Sequence, residues 1–166
     1  MKTNLLRLAL LSIVIFTMNS CSSEDTSSEA TNLTAKVVDY NYNDIELETM
    51  KLINEYRVSQ GLNSLEKINH ISYKSEEHDE YMIANKVVNH DDFVARSENI
   101  IQVLKAKTVG ENVAYNFNTP ESVVAAWLNS PAHKENIVGN YTHFGIAIKS
   151  DPTTGRKYYT NIFVKI

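Results

Sequence analysis

Three residues in this 166-residue chain have types that can do chemistry together: His90, Glu111 and His133. Each is read as standing at the end of an element. His90 follows an amphipathic helix, Glu111 comes directly after Gly110, and His133 lies in the first turn of a helix begun at Pro131. Side chains at element ends can converge on one cleft. Two neutral imidazoles and a carboxylate can hold a zinc ion and leave one position open for water. Without metal the same trio can support acid–base work, because imidazole titrates near neutrality and a carboxylate can orient it. A purely solvated or structural role for each also remains open from spacing alone.

The other polar candidates read differently. His78 lies mid-helix on an apolar stripe and is expected to be a hydrogen-bonded core histidine. His70, at a helix entrance, is expected to be exposed, and His143 opens a strand beside Phe144 with no assigned role. Trp127 is expected to anchor the core, and Arg96 to pair with a nearby acid. No GxSxG elbow, HExxH helix, phosphate loop or dinucleotide fingerprint is present. Ser64-Leu-Glu-Lys67 fits an SxxK pattern but lacks partner motifs. Cys21 is the single cysteine, so an internal disulfide, a Cys-ligated zinc and a CxxC pair are all excluded.

Helices and strands must position these side chains. Ile45, Thr49, Leu52, Ile53 and Tyr56 recur at helical spacing, which predicts a helix from Asp44 to Gln60 with Gly61 as terminator. Ile71, Ser75, His78 and Met82 mark a second helix, with Asn69 or Ser72 as its cap. Thr119-Pro120-Glu121 starts another, running to about Asn129. Ser130-Pro131 repeats that signature and places His133 near a helix N-terminus, where it is expected to stay neutral. His143–Lys149 and Lys157–Ile166 read as strands joined by Asp151-Pro-Thr-Thr-Gly155, an antiparallel hairpin. Helices first and strands last predict an α+β layered domain over residues 42–166.

Ahead of that domain the chain reads as an address. Lys2 and Arg7 precede the apolar stretch Leu8–Phe16, which is short for a membrane span, and Ser20 stands before Cys21. Residues 1–20 are expected to be a lipoprotein signal, with Cys21 becoming the acylated N-terminus, and residues 21–41 a polar, acidic tether. The expected membrane partner is therefore reached through the lipid on Cys21. The expected location is the cell envelope, anchored at the outer membrane and facing either periplasm or exterior. Net charge is −4, and no Lys/Arg run with interleaved aromatics occurs, so a nucleic-acid partner is not expected.

Taken in order, these segments resemble the CAP domain of the cysteine-rich secretory and pathogenesis-related proteins, in its bacterial form. The similar stretches are Ile53-Asn54-Glu55-Tyr56-Arg57 with Gly61-Leu62-Asn63-Ser64-Leu65, Glu77–Met82, and Asn89–Phe93 with Arg96. They continue through Gly110-Glu111-Asn112-Val113-Ala114, Ala126–Ile137 and the two closing strands. The resemblance implies a three-layer α-β-α sandwich with a cleft holding two histidines and acids, which fall on His90, His133 and Glu111. The second glutamate of eukaryotic members falls on Ser130, and their disulfides are missing. Family members have been linked to proteolysis, to sterol and lipid binding, and to signalling without catalysis. Two functions are therefore expected side by side. One is a binding module whose cleft takes a divalent metal such as Zn²⁺ or a small lipid, peptide or cell-wall ligand. The other is an extracellular hydrolase acting on peptides or cell-wall material.

Overall fold

The computed structural model describes residues 38–166. The expected signal at 1–20, the expected lipidation at Cys21 and most of the expected tether lie outside the described residues. The elements are α1 (Asp44–Ser59), β1 (Glu66–Lys67), α2 (Asn69–Asn85), α3 (Phe93–Leu104), β2 (Thr108–Tyr115), α4 (Pro120–Asn129), α5 (Pro131–Val138), β3 (His143–Ser150) and β4 (Lys157–Lys165). The strands form one sheet in the order β1-β3-β4-β2. β1 runs parallel to β3, and the other pairings are antiparallel. Helices α2 and α3 cover one face of the sheet, while α1, α4 and α5 cover the other. The α+β sandwich and its closing hairpin are as the sequence predicts.

Local chemistry explains most boundaries. Asn43 and Glu46 form a capping box at the start of α1. Thr119 caps α4 with Pro120 at its first position. Gly61 takes the left-handed conformation (φ 73°) that ends the α1 turn. The α1/α4/α5 layer encloses the larger core, with Ile53, Trp127, Ile137, Phe144, Tyr159 and Phe163 inside it. On the opposite face Ile71, Ile100, Ile162 and Val164 pack together. There α2 presses directly on the sheet at Gly145, where a Cβ would collide with the backbone of Ile71 and Ser72.

Arg57 is fully buried, and among the described residues no carboxylate pairs with it. Its guanidinium donates to the carbonyls of Asn63 (2.9 Å), Ile137 (2.7 Å) and Gly139 (2.9 Å). The last two belong to the end of α5, so Arg57 ties that helix to α1.

Three expectations differ from the structure. Asn69 and Ser72 do not cap α2: Ile68 occupies the cap position with no side-chain bond. The Ser72 hydroxyl instead accepts from the Ile146 N–H, 3.1 Å away. His70 is half-buried, its Nε2 2.9 Å from Asn99 Oδ1. Glu111 is not at an element end but in the middle of β2, a strand that the helices-first reading did not contain.

Candidate functional site

The Glu111 side chain is 1% exposed and points to the α2/α3 face of β2. Arg96, from the first turn of α3, grips it from the side: Nε donates to Oε2 at 3.0 Å and Nη2 to Oε1 at 2.9 Å. His90 Nδ1 lies 2.8 Å from Oε1. A carboxylate only accepts, so Nδ1 carries a proton, and in the neutral ring the lone pair is left on Nε2. The His90 side chain is 51% exposed, so this lone pair is within reach of a ligand.

The loop carrying His90 is fixed on both flanks. The Asn89 carbonyl accepts from His78 Nε2 at 2.9 Å. The Asp91 carboxylate accepts from Tyr81 Oη and from Asn89 Nδ2, each at 2.8 Å. The Asp91 carbonyl accepts from Arg96 Nη1 at 2.7 Å. The loop is therefore stitched to α2 and α3 by side chains, which preorganises the imidazole between them.

His78 is buried beneath this cluster, as expected of a core histidine, but it also stands 3.9 Å from Glu111 Oε1. Nε2 donates to the Asn89 carbonyl, which in the neutral ring leaves Nδ1 bare, and among the described residues Nδ1 has no partner. Burial pushes its pKa below 6.5, against the pull of Glu111.

His133 arrives from the other face of the sheet. It lies in the first turn of α5, and its carbonyl accepts from Asn112 Nδ2 at 3.0 Å. Asn112 alternates with Glu111 along β2 and so points to the opposite layer. Burial, and next the repulsion that a protonated His90 would exert, lower the His133 pKa, which favours the neutral ring as expected. The two imidazoles thus belong to one locality, reached around the outer edge of β2.

That edge is itself occupied. Asn136 Nδ2 donates to the Glu111 carbonyl at 3.1 Å and to Asn112 Oδ1 at 2.8 Å. Trp127 Nε1 donates to the Val113 carbonyl at 3.1 Å. Trp127 is the expected core anchor, with an additional task at the strand edge. Sequence reasoning passed over Asn136, although it stands in the same motif as His133. The pairing of Arg96 was expected without its partner being named.

The donor set does not fit a three-residue zinc centre. Both Glu111 oxygens are engaged by Arg96, and one also by His90. Among the described residues no three His, Cys, Asp or Glu side chains come together for a metal ion. A metal reaching this locality would find two imidazole nitrogens.

A sandwich of this order, with two histidines and a clamped glutamate at one sheet edge, defines a CAP-type domain. The sequence profile described as "CAP: Cysteine-rich secretory protein family" matches residues 50–164, and the chain belongs to that family. It is 31% identical over 134 residues to "Uncharacterized protein YkwD" of Bacillus subtilis, covering 77% of this chain and 51% of that one. It is 30% identical over 127 residues to "Uncharacterized membrane protein YlbC" of the same organism, covering 72% and 34%. The match thus spans about half of the first relative and about a third of the second. Among solved structures, an outer surface protein of Borrelia burgdorferi superposes with a TM-score of 0.63 at 25% identity, covering 71% of this chain and 92% of that one. An extracellular protein with an SCP domain from Bacillus anthracis gives 0.64 at 21% identity, over 73% and 40%, a likeness of fold.

Proposed function

We propose that this chain is an exported, lipid-anchored CAP module that acts by binding. Its cleft takes a small polar ligand or a divalent ion between His90 Nε2 and His133. The observation that carries this reading is the engagement of Glu111. A carboxylate bonded by Arg96 and His90 has no oxygen free to activate water, so it serves to orient His90. Among the described residues no helix is long and apolar enough to cross a membrane. The proposed attachment is the lipid on Cys21.

The test is a zinc and inorganic phosphate titration of the mature chain, followed by long-range ¹H–¹⁵N spectra of the histidine rings. The reading expects His90 as the Nδ1–H tautomer, with Nε2 of His90 and the His133 ring perturbed together by one of the two probes. His133→Ala should abolish that response. Peptide or peptidoglycan turnover that Glu111→Gln removes without lowering Tm would overturn it in favour of a hydrolase. That second reading is favoured by one observation: a carboxylate-oriented imidazole with a bare Nε2 is also the arrangement of a general base. Anchoring is checked separately, by palmitate labelling that Cys21→Ala abolishes.

A further inference from the structure

Four residues beyond Glu111 along β2, a second recess opens that the cleft does not use. It has a volume of about 400 Å³ and lies between the end of α2, the end of β2 and the β3–β4 turn. Tyr115 and Tyr158 form its aromatic floor, ring centroids 4.7 Å apart and tilted by 56°. Ile83 and Pro152 add apolar wall. Lys86 and Arg156 stand on its rim, both exposed, and neither makes an ion pair among the described residues. Arg156 Nη1 donates to Tyr115 Oη at 3.1 Å, which holds the guanidinium beside the floor.

The acid on the rim, Asp151, is turned into its own loop. Its carboxylate accepts from the Thr153 N–H at 2.8 Å and from Thr154 Oγ1 at 2.6 Å. The Asp151 carbonyl accepts from the Gly155 N–H at 2.8 Å, with Gly155 at φ 71°. The wall is thus formed before any ligand arrives, which reduces the ordering cost of binding.

We infer that this recess binds the free C-terminus of a peptide: the carboxylate lies between Lys86 and Arg156, and an apolar or aromatic last side chain rests on the tyrosines. The one acid near the two cations, Asp151, is bonded into its own loop and pairs directly with neither, so Lys86 and Arg156 are left to meet one incoming carboxylate. Guanidinium–carboxylate hydrogen bonds are among the strong ones. A recess of this size accepts one large side chain. An acidic sugar would match the charge but would bring ring hydroxyls needing partners, whereas Asp151 and Thr154 are already bonded to each other. The recess and Glu111 lie on the same face of β2, about 13 Å apart along the strand. One extended peptide of about four residues would span both, although the recess assignment does not depend on the cleft reading.

The experiment is a ¹H–¹⁵N titration of the mature full chain with N-acetyl-Ala-Phe, its C-terminal amide, and galacturonate. The acid should shift the amides of Lys86, Thr153 and Gly155 and bind about tenfold more tightly than the amide. Lys86→Gln and Arg156→Gln should each weaken it at unchanged Tm, whereas His133→Ala should leave it unaffected. Equal binding of acid and amide overturns the assignment, as does a response to galacturonate alone or no shift at these residues at millimolar peptide.

Discussion

Glu46 and Glu111 are both buried carboxylates, and both hold separate elements together, but they are surrounded in opposite ways. Glu46, in the first turn of α1, accepts only from neutral donors: Tyr40 Oη (2.8 Å), the Asn43 N–H (2.9 Å) and the Ile148 N–H (2.9 Å). It joins the segment before α1, the helix start and strand β3, and burial raises its pKa above 4.5. Glu111 sits between a guanidinium and an imidazole. The neutral setting closes a joint and leaves no donor to spare. The cationic setting closes a joint too, but one of its members, His90, still turns a free nitrogen outward. An acid whose partners are all backbone and phenol is a fastener; an acid that aligns a half-exposed imidazole is part of a site.

The comparison can be broken most forcefully at Arg96. Arg96→Ala leaves Glu111 buried without its cation and should cost about 3–5 kcal/mol, read from the urea unfolding midpoint. Replacing both partners, as Arg96→Met with Glu111→Leu, should recover most of that loss. A double variant as unstable as the single would mean that the pair is not what the site's stability depends on. Glu46→Ala should be milder, about 2–3 kcal/mol, because three neutral donors lose their acceptor and no charge is stranded. If the two single variants cost the same, the distinction drawn between the acids fails.

pH sharpens the contrast further. The folded-state pKa of His78 lies below its ordinary 6.5, so the unfolded chain binds the proton first. Stability should therefore fall as pH drops below about 6.5 and level off below the folded value. His78→Gln should flatten that slope. Asp79 behaves in the opposite sense: fully buried, with Oδ1 accepting from Thr160 Oγ1 at 2.6 Å and Oδ2 without a partner, it has a pKa well above 3.8. Its contribution is present below about pH 3.8 and is lost as pH rises through the folded value. Asp79→Asn should stabilise slightly at neutral pH, with the gain vanishing in acid. Chemical denaturation at several pH values checks both, and a wild-type profile without the His78 slope would contradict the buried neutral imidazole.

Helices α4 and α5 and the closing hairpin were legible because their signals are local: Thr119-Pro120, Pro131 and alternating apolar residues need no tertiary partner, although Ser130, expected to repeat the cap of Thr119, makes no side-chain cap bond. Helix α3 and strand β2 were not. α3 begins at Asp92 in the left-handed conformation with no side-chain cap, and it exposes Val94 and Ile101, which blurs its apolar stripe. β2 buries Gly110, Glu111, Asn112, Val113 and Ala114 in succession, covered on both faces, so no alternation marks it as a strand. The site was half legible for the same reason. Residue type singles out His90, Glu111 and His133. The meeting of Arg96 with Glu111, and of Asn136 with the carbonyl of Glu111, depends on packing that spacing does not encode.

The side chains along the sheet's flanks have a consequence for how copies of this protein tolerate one another. A strand at the margin of a sheet is a template for a further strand whenever its outward carbonyls and amides stand free. On β2 the indole of Trp127 and the amide of Asn136 already take the carbonyls of Val113 and Glu111. On β3 the Ser72 hydroxyl and the Glu46 carboxylate take the amides of Ile146 and Ile148. The groups that frame the cleft and fasten α1 thus also deny purchase to a foreign strand. Crowding many copies side by side should not by itself draw them into fibres.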